Sequence, residues 1–216
     1  IISWSSLISG YAQDGQSHEA IHCFVDMQRE GFCADEVTFT SILKACGRSG
    51  AIDRGKQIHN EIVSKGLLNE DVVLGTALMD MYAKCGLVAK AQEVLEELPV
   101  RNVISWSTLI VGYTHNGQGH EALRCFERMK GEAISPNAIS FTSILNACGS
   151  TRSLKKGKHI HEEIMNRGLL EKDLVLGSAL MDMYTKCGML LKAQEVLQGL
   201  PIRSAVSWSV LIAGYI

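Results

Sequence analysis

Cysteine, histidine, tryptophan and lysine are the side chains of this sequence that could do chemistry, and their spacing decides which chemistry is open. Cys23, Cys46 and Cys85 recur as Cys125, Cys148 and Cys187, with Cys33 unmatched, and no Cys-x-x-Cys pair occurs. An odd count, wide spacing and placement within apolar helical stretches favour buried, reduced thiols that pack as small hydrophobes over metal or disulfide roles. A reducing compartment is the corresponding expectation. His59 and His161 each follow an isoleucine and have no neighbouring ligand set, so they read as structural. Trp4, Trp106 and Trp208 have faces on which a base could stack. They fall in phase with Leu and Tyr on an apolar face, however, which favours core packing.

The elements that position these residues follow from composition and periodicity. A hydrophobic content of 46% is ample for a core and excludes a disordered chain. Every apolar run is interrupted by Gly, Lys, Asp or His well short of a membrane span, so no membrane partner is expected. The formal charge of −2 and pI near 6.4 count against binding that rests on phosphate neutralisation. The sequence opens Ile1-Ile2-Ser3-Trp4, with neither an initiator Met nor a basic leader, and reads as a fragment.

Sliding the chain against itself gives one dominant offset, 102 residues, which brings Ser3-Trp4-Ser5 onto Ser105-Trp106-Ser107. It also brings Leu78-Met79-Asp80-Met81-Tyr82 onto Leu180-Met181-Asp182-Met183-Tyr184. Three related openings divide that unit: Ser3-Trp4-Ser5-Ser6-Leu7-Ile8, Thr38-Phe39-Thr40-Ser41-Ile42-Leu43 and Leu74-Gly75-Thr76-Ala77-Leu78-Met79. The whole chain is then a single repeat array over 1–216, with repeats 1–35, 36–71, 72–102, 103–137, 138–173 and 174–204 and a partial repeat 205–216. Units of this size cannot bury an apolar face alone and must stack. Within one of them Trp106, Leu109, Ile110 and Tyr113 fall at i, i+3, i+4 and i+7. Ala122, Phe126 and Met129 resume the helical step after Asn116-Gly117-Gln118-Gly119, whose glycines suit a helix C-cap and turn. The spacing predicts two antiparallel helices per repeat. Pro99, Pro136 and Pro201 lie near repeat ends, where they interrupt no helix. The expected fold class is all-α, an α-solenoid with first helices lining a concave surface.

The unit Val103-Ile104-Ser105-Trp106-Ser107-Thr108-Leu109-Ile110, continuing through Gly112-Tyr113, Glu121-Ala122-Leu123, Phe126 and Met129 to Pro136-Asn137, resembles the pentatricopeptide repeat. The alternation of 35, 36 and 31 residues resembles the P, L and S repeats of the PLS subclass, common in plant organelle RNA-editing factors. Ile42-Leu43-Lys44-Ala45-Cys46 with Gly55-Lys56-Gln57-Ile58-His59 marks L-type units, and Asp80-Met81-Tyr82-Ala83-Lys84-Cys85-Gly86 with Leu98-Pro99 marks S-type units. The resemblance implies a right-handed superhelix of helix-turn-helix repeats. It implies a sequence-specific single-stranded RNA-binding module, the target-recognition part of an organellar editing or processing factor, in a mitochondrion or chloroplast, with other editing or processing factors as further partners. It implies no cofactor and no small-molecule substrate. No catalysis is expected either: His161-Glu162-Glu163 supplies a His-x-Glu, but a zinc deaminase also needs Pro-Cys-x-x-Cys, which is missing.

Repeats of this kind read one base with two or three side chains. By resemblance the base-specifying residues are the fifth and last of each repeat: Ser5 with Asp35, Thr40 with Asp71, Thr76 with Asn102, Ser107 with Asn137, Thr142 with Asp173, Ser178 with Ser204, and Ser209. The second residues, Ile2, Val37, Val73, Ile104, Ile139, Val175 and Val206, pack against the base, and Lys84 and Lys186 match a lysine that meets phosphate. The pairs imply a preference for purines. Repeats 1 to 5 would read guanine, guanine, adenine, adenine and guanine, with L-type repeats following the code least reliably. Two bland readings stand beside these roles: Ser, Thr, Asn and Asp cap helix starts, and surface lysines are ordinarily solvated. Capping does not explain a stiff aliphatic residue at every second position. From another function class, Trp4, Leu7 and Tyr11 match the tetratricopeptide Trp-x-x-Leu…Tyr spacing of a protein-interaction scaffold, although those units have a uniform length of about 34 residues.

Overall fold

The computed structural model describes residues 2–69, 72–170, 173–203 and 205–215, with the side chains of 2, 3 and 69 outside the description. Asp71 and Ser204 therefore lie outside the described residues, as does the side chain of Ile2.

Thirteen α-helices carry the described residues: α1 (Ile2–Gln13), α2 (Ser17–Arg29), α3 (Glu36–Ser49), α4 (Ile52–Ser64), α5 (Val72–Lys84), α6 (Val88–Glu97), α7 (Val103–His115), α8 (Gly119–Gly131), α9 (Ala138–Ser150), α10 (Leu154–Asn166), α11 (Leu174–Lys186), α12 (Leu190–Gly199) and α13 (Ala205–Tyr215). One 3-10 turn (Leu67–Asn69) follows α4, and there is no strand among the described residues. The chain divides into two compact units, Ile1–Gly112 and Tyr113–Ile216, with the division inside α7.

Each unit is built by helix pairing. In the first, α1 packs on α2, α5 on α6, and the first helices α1, α3 and α5 pack in succession. In the second, α9 packs on α10, α11 on α12, and α9, α11 and α13 pack in succession. The core of the first unit includes Phe24, Met27, Phe39, Ile42, Leu43 and Leu78, all without solvent exposure, and that of the second includes Met129, Phe141, Ile144, Leu145 and Leu180. Two tilted ring pairs, Phe24 with Phe39 and Phe126 with Phe141, lie at centroid distances of 6.4 and 6.0 Å. The Arg54 guanidinium lies 5.2 Å from the Phe24 ring, and that of Arg167 lies 5.2 Å from Phe141. These cations cover aromatic faces while their terminal nitrogens donate to Gln28 and Gln57 from Arg54 and to Ser135, Glu163 and the Pro136 carbonyl from Arg167.

Gly75 in α5 is closely approached by the leucine that ends α6. A Cβ there would run into Leu98 Cδ2, and the equivalent Gly177 meets Leu200 in the same way. The turn after α3 tolerates more. Gly50 adopts a left-handed φ of 70°, while its counterpart in the second unit is Arg152 at φ 50°.

The repeated histidines have a structural partner. His59 Nδ1 lies 2.8 Å from Tyr82 Oη, and His161 Nδ1 lies 2.8 Å from Tyr184 Oη. Each bond ties the second helix of one repeat to the first helix of the next. Burial pushes both imidazoles below their ordinary pKa. The unfolded chain therefore takes up these protons first, and stability is complete above the unfolded value of about 6.5. It is lost as pH falls through and below that value. The melting temperature is expected to drop between pH 7.5 and about 5.5, beyond what surface carboxylates cause, and His59→Gln should remove about half of that excess drop because two equivalent pairs contribute. Calorimetry across this range is the measurement; an unchanged pH profile in the variant would show that the pair carries no proton linkage.

Candidate nucleic-acid interface

The first helices present the fifth, second and last residues in a regular order. Six second-position residues, Val37, Val73, Ile104, Ile139, Val175 and Val206, are each between 59% and 65% exposed. Single exposed aliphatics are ordinary. Three in each unit, every one the second residue of a first helix, are exposed aliphatics that the core does not use.

The fifth residues sit one turn further on. Thr40, Thr76, Ser107, Ser178 and Ser209 donate their hydroxyl protons to the carbonyl four residues back, at distances of 2.6 to 3.1 Å. A hydroxyl has one proton and two acceptor sites. Thr40, Thr76, Ser178 and Ser209, none of them buried, therefore offer only acceptor sites to the outside. Ser5 and Ser107 are nearly buried, whereas Thr40, Thr76, Thr142 and Ser178 are partly open.

The four described last residues all cap the helix that follows. Asp35 Oδ1 accepts from the Thr38 amide at 2.8 Å. Asn102 Oδ1 accepts from the amides of Ile104 and Ser105 at 2.9 and 3.0 Å. Asn137 Oδ1 accepts from the Ser140 amide at 2.9 Å within a capping box, and Asp173 Oδ1 accepts from Val175 and Leu176 at 2.9 and 3.1 Å. Capping is thus a real task of these residues. It occupies Oδ1 and orients the second side-chain atom, Oδ2 or Nδ2, differently.

In the first unit these parts come together. A cleft of ≈ 320 Å³ between α3, α5 and the start of α7 is lined by Thr40, Lys44, Val73, Thr76, Asn102 and Ile104, with Asp80 and Thr108 at its wall. It holds two second-position residues, two fifth-position residues and one last residue. In the second unit a cleft of ≈ 540 Å³ is lined by Val206 and Ser209 with Asp182 and Lys186. Another cleft, ≈ 560 Å³, lies on the second-helix side among Lys158, His161, Tyr184 and Lys192 and holds none of the residues assigned to RNA above.

The lysines are less simple than the sequence suggests. Lys84 Nζ binds Asp80 Oδ2 at 2.6 Å, and Lys186 Nζ binds Asp182 Oδ2 at 2.6 Å. Each cation is neutralised by its own helix. Lys44, one turn beyond Thr40, is exposed in the first-unit cleft, and its counterpart in the second unit is Asn146. Sequence reasoning passed over Lys44 and Asp80.

Other candidates fall into place as structure. Trp106 is fully buried, while Trp208, in α13, is 47% exposed. Cys46, Cys125 and Cys148 are buried, and burial pushes the Cys46 and Cys148 thiols up to about 12. Among the described residues no cluster of three or more His, Cys, Asp or Glu could hold a metal ion, and no helix is long and apolar enough to cross a membrane.

The fold resembles that of maize pentatricopeptide repeat protein PPR10, with a TM-score of 0.72 at 20% identity over 99% of this chain and 31% of that one. PPR10 in complex with an 18-nt psaJ RNA element matches with a TM-score of 0.54 at 18% identity over 98% of this chain and 37% of that one. The PPR domain of Arabidopsis thaliana protein-only RNase P 1, solved in complex with tRNA, matches at 0.61 and 13% identity over 87% of this chain and 95% of that one. These likenesses place the chain in the all-α repeat-solenoid class. At the level of sequence, a chloroplastic pentatricopeptide repeat-containing protein of Arabidopsis thaliana is 39% identical over 99% of this chain and 34% of its own length. A mitochondrial one is 39% identical over 100% of this chain and 34% of its own. The chain spans about one third of the length of these relatives. The PPR repeat family profile matches residues 1–67 and 101–150, and the PPR repeat profile matches 76–103, 139–169 and 178–201. With the paired helices and their ordered openings, these matches show that the chain belongs to the pentatricopeptide repeat family.

Proposed function

We propose that this chain binds single-stranded RNA, one base per repeat, as the target-recognition part of an organellar RNA-editing or RNA-processing factor of the PLS subclass. The observation that carries the reading is the first-unit cleft, which Val73, Ile104, Thr76 and Asn102 line together. A base entering there would meet the aliphatic side chains of Val73 and Ile104 and turn an edge to two oriented polar groups. Thr76 Oγ1 accepts, because its proton is on the Val72 carbonyl. Asn102 donates through Nδ2, because its Oδ1 holds the cap. Adenine matches both, with an N6 donor beside the N1 acceptor.

The repeat boundaries given by the openings, 1–35, 36–71, 72–102, 103–137, 138–173 and 174–204, and the alternating 35, 36 and 31 residues support the PLS assignment. Chloroplastic and mitochondrial relatives support an organellar location. The remaining fifth and last residues, the second residues, and Lys84 and Lys186 take the roles that the family pattern gives them. The lysines do so weakly, because Asp80 and Asp182 compete for them. Purine preference follows from the Asp and Asn pairs. The reading assigns no catalytic step to the chain.

Native gel shift with short purine-rich and pyrimidine-rich single strands and a duplex control, titrated with salt, tests the proposal. Single-stranded purine-rich RNA should bind best. With few unpaired groove cations, about three phosphates should be neutralised, a slope of log K on log salt near about −2. Equal binding of duplex and single strands would remove the base-insertion reading, and a slope for eight or more phosphates would place the affinity outside this face.

A further inference from the structure

Behind the first base-reading pair lies a buried hydroxyl that belongs to neither partner. Thr38 has no solvent exposure, yet it touches both Ser5 and Asp35. Its Oγ1 donates to Asp35 Oδ1 at 2.5 Å and lies 2.7 Å from Ser5 Oγ. The Thr38 amide donates to the same Oδ1 at 2.8 Å.

Proton counting then fixes the direction of the chain. An ionised carboxylate only accepts, so the single Thr38 hydroxyl proton goes to Asp35. In the Ser5–Thr38 bond Ser5 must therefore be the donor. Ser5 Oγ also lies 3.4 and 3.3 Å from Asp35 Oδ1 and Oδ2, so its proton points inward in either arrangement. Ser5 offers the outside only lone pairs. Asp35 Oδ1 is engaged twice by Thr38, which leaves Oδ2 as the carboxylate's outward acceptor.

We propose that Thr38 is a positioning residue for base selection: its hydroxyl holds Ser5 as an acceptor and turns one oxygen of Asp35 outward, so that the first repeat selects an edge with two adjacent donors. Guanine, with N–H groups at N1 and N2, presents such an edge. This inference rests on the reading of Ser5 and Asp35 as a base-specifying pair. The bond to the cap residue recurs at Ser140, whose Oγ donates to Asn137 Oδ1 at 2.9 Å, while the fifth residue there, Ser107, donates to the Val103 carbonyl instead. It is missing at Leu176, the equivalent position after Asp173, where the bonds to the carboxylate come from the backbone amides of Val175 and Leu176. Selection through Asp35 is therefore sharper than through Asp173.

Titration gives an independent handle. Burial works to raise the Asp35 carboxyl, but hydrogen bonds from the Thr38 hydroxyl and amide and from Ser5 outweigh it and hold the group below the usual carboxylate range. Glu36 and Lys65 are the charged neighbours in the same cleft.

The test uses the full chain with Thr38→Val, which removes the hydroxyl, Thr38→Ser, which keeps it, and Thr38→Ala as a second hydroxyl-free form should the valine not fold. Competition binding against RNAs that differ only in guanine or adenine at the first-repeat base is measured across acid pH. The hydroxyl-free variant should lose guanine preference on the order of tenfold, the effect of one hydrogen bond to a charged group. Its remaining preference should fade at a higher pH than in wild type, with the salt slope unchanged and the serine variant like wild type. An unaltered guanine-to-adenine ratio beside a lowered melting temperature would show that Thr38 only caps α3. A wild-type chain with no preference at this base would overturn the base-reading pair and this inference together.

Discussion

Trp106→Ala is expected to destabilise the chain by about 3–5 kcal/mol, the cost of deleting a fully buried aromatic side chain. Trp106 has no exposed surface, and its neighbours along α7, Leu109 and Ile110, have none either. A void there has only packed helix around it, and interiors at this density relax little. Trp208 holds the same place in its repeat but is 47% exposed, so Trp208→Ala should cost less than half as much. Trp4, of intermediate exposure, should fall between. Denaturant unfolding followed by helical circular dichroism ranks the three. Equal losses at Trp106 and Trp208 would break the link between burial and cost argued here. RNA binding supplies the complementary measurement, because Trp106 has no face on which a base could stack, whereas a binding loss at Trp208 would reveal stacking.

The fold is legible in the sequence to the extent that periodicity fixes it. Trp106, Leu109, Ile110 and Tyr113 share one helical stripe, and all four are buried. Pro99 and Pro201 follow the ends of α6 and α12, and Pro136 precedes α9, so no proline enters a helix interior. What periodicity cannot give is partnership between helices. The hydrogen-bonded His59 and Tyr82 are 23 residues apart on different helices, and only packing brings them together.

The interface is legible less evenly. Residue type alone leaves capping and base reading as rivals at Asp35, Asn102, Asn137 and Asp173, and the geometry shows that capping takes one side-chain oxygen from each. The rivals are compatible, since the cap orients the atom that is left. The ion pair that restrains Lys84 is readable as an Asp four residues before a Lys, a spacing that helices bring together. Thr38 is readable in the same way, as a hydroxyl three residues after the cap residue Asp35. Its second contact, to Ser5, depends on how α1 and α3 pack and has no local signal.

Asn102→Asp should change which base the third repeat prefers, from adenine to guanine, by about 1–3 kcal/mol if base-edge discrimination in DNA is a fair guide. The substitution suits the fold, because Asp caps a helix as well as Asn does and already does so at Asp35 and Asp173. Oδ1 would stay on the amides of Ile104 and Ser105, and the outward atom would change from a donating Nδ2 to an accepting Oδ2. Thr76 keeps its proton on the Val72 carbonyl and remains an acceptor in both proteins. The edge selected therefore changes from one with an acceptor at N1 to one with donors at N1 and N2. Cytosine presents an acceptor beside a donor as adenine does, so it belongs among the competitors and should follow adenine in direction. The new carboxylate will weaken binding of every RNA by repelling phosphate, and the comparison is for that reason between ratios of affinities. Competition of RNAs that differ only at this base, against wild type and variant, is the experiment, with the bases facing neighbouring repeats held fixed. A variant that folds and binds yet keeps the wild-type order of bases would mean that Asn102 caps α7 and reads nothing.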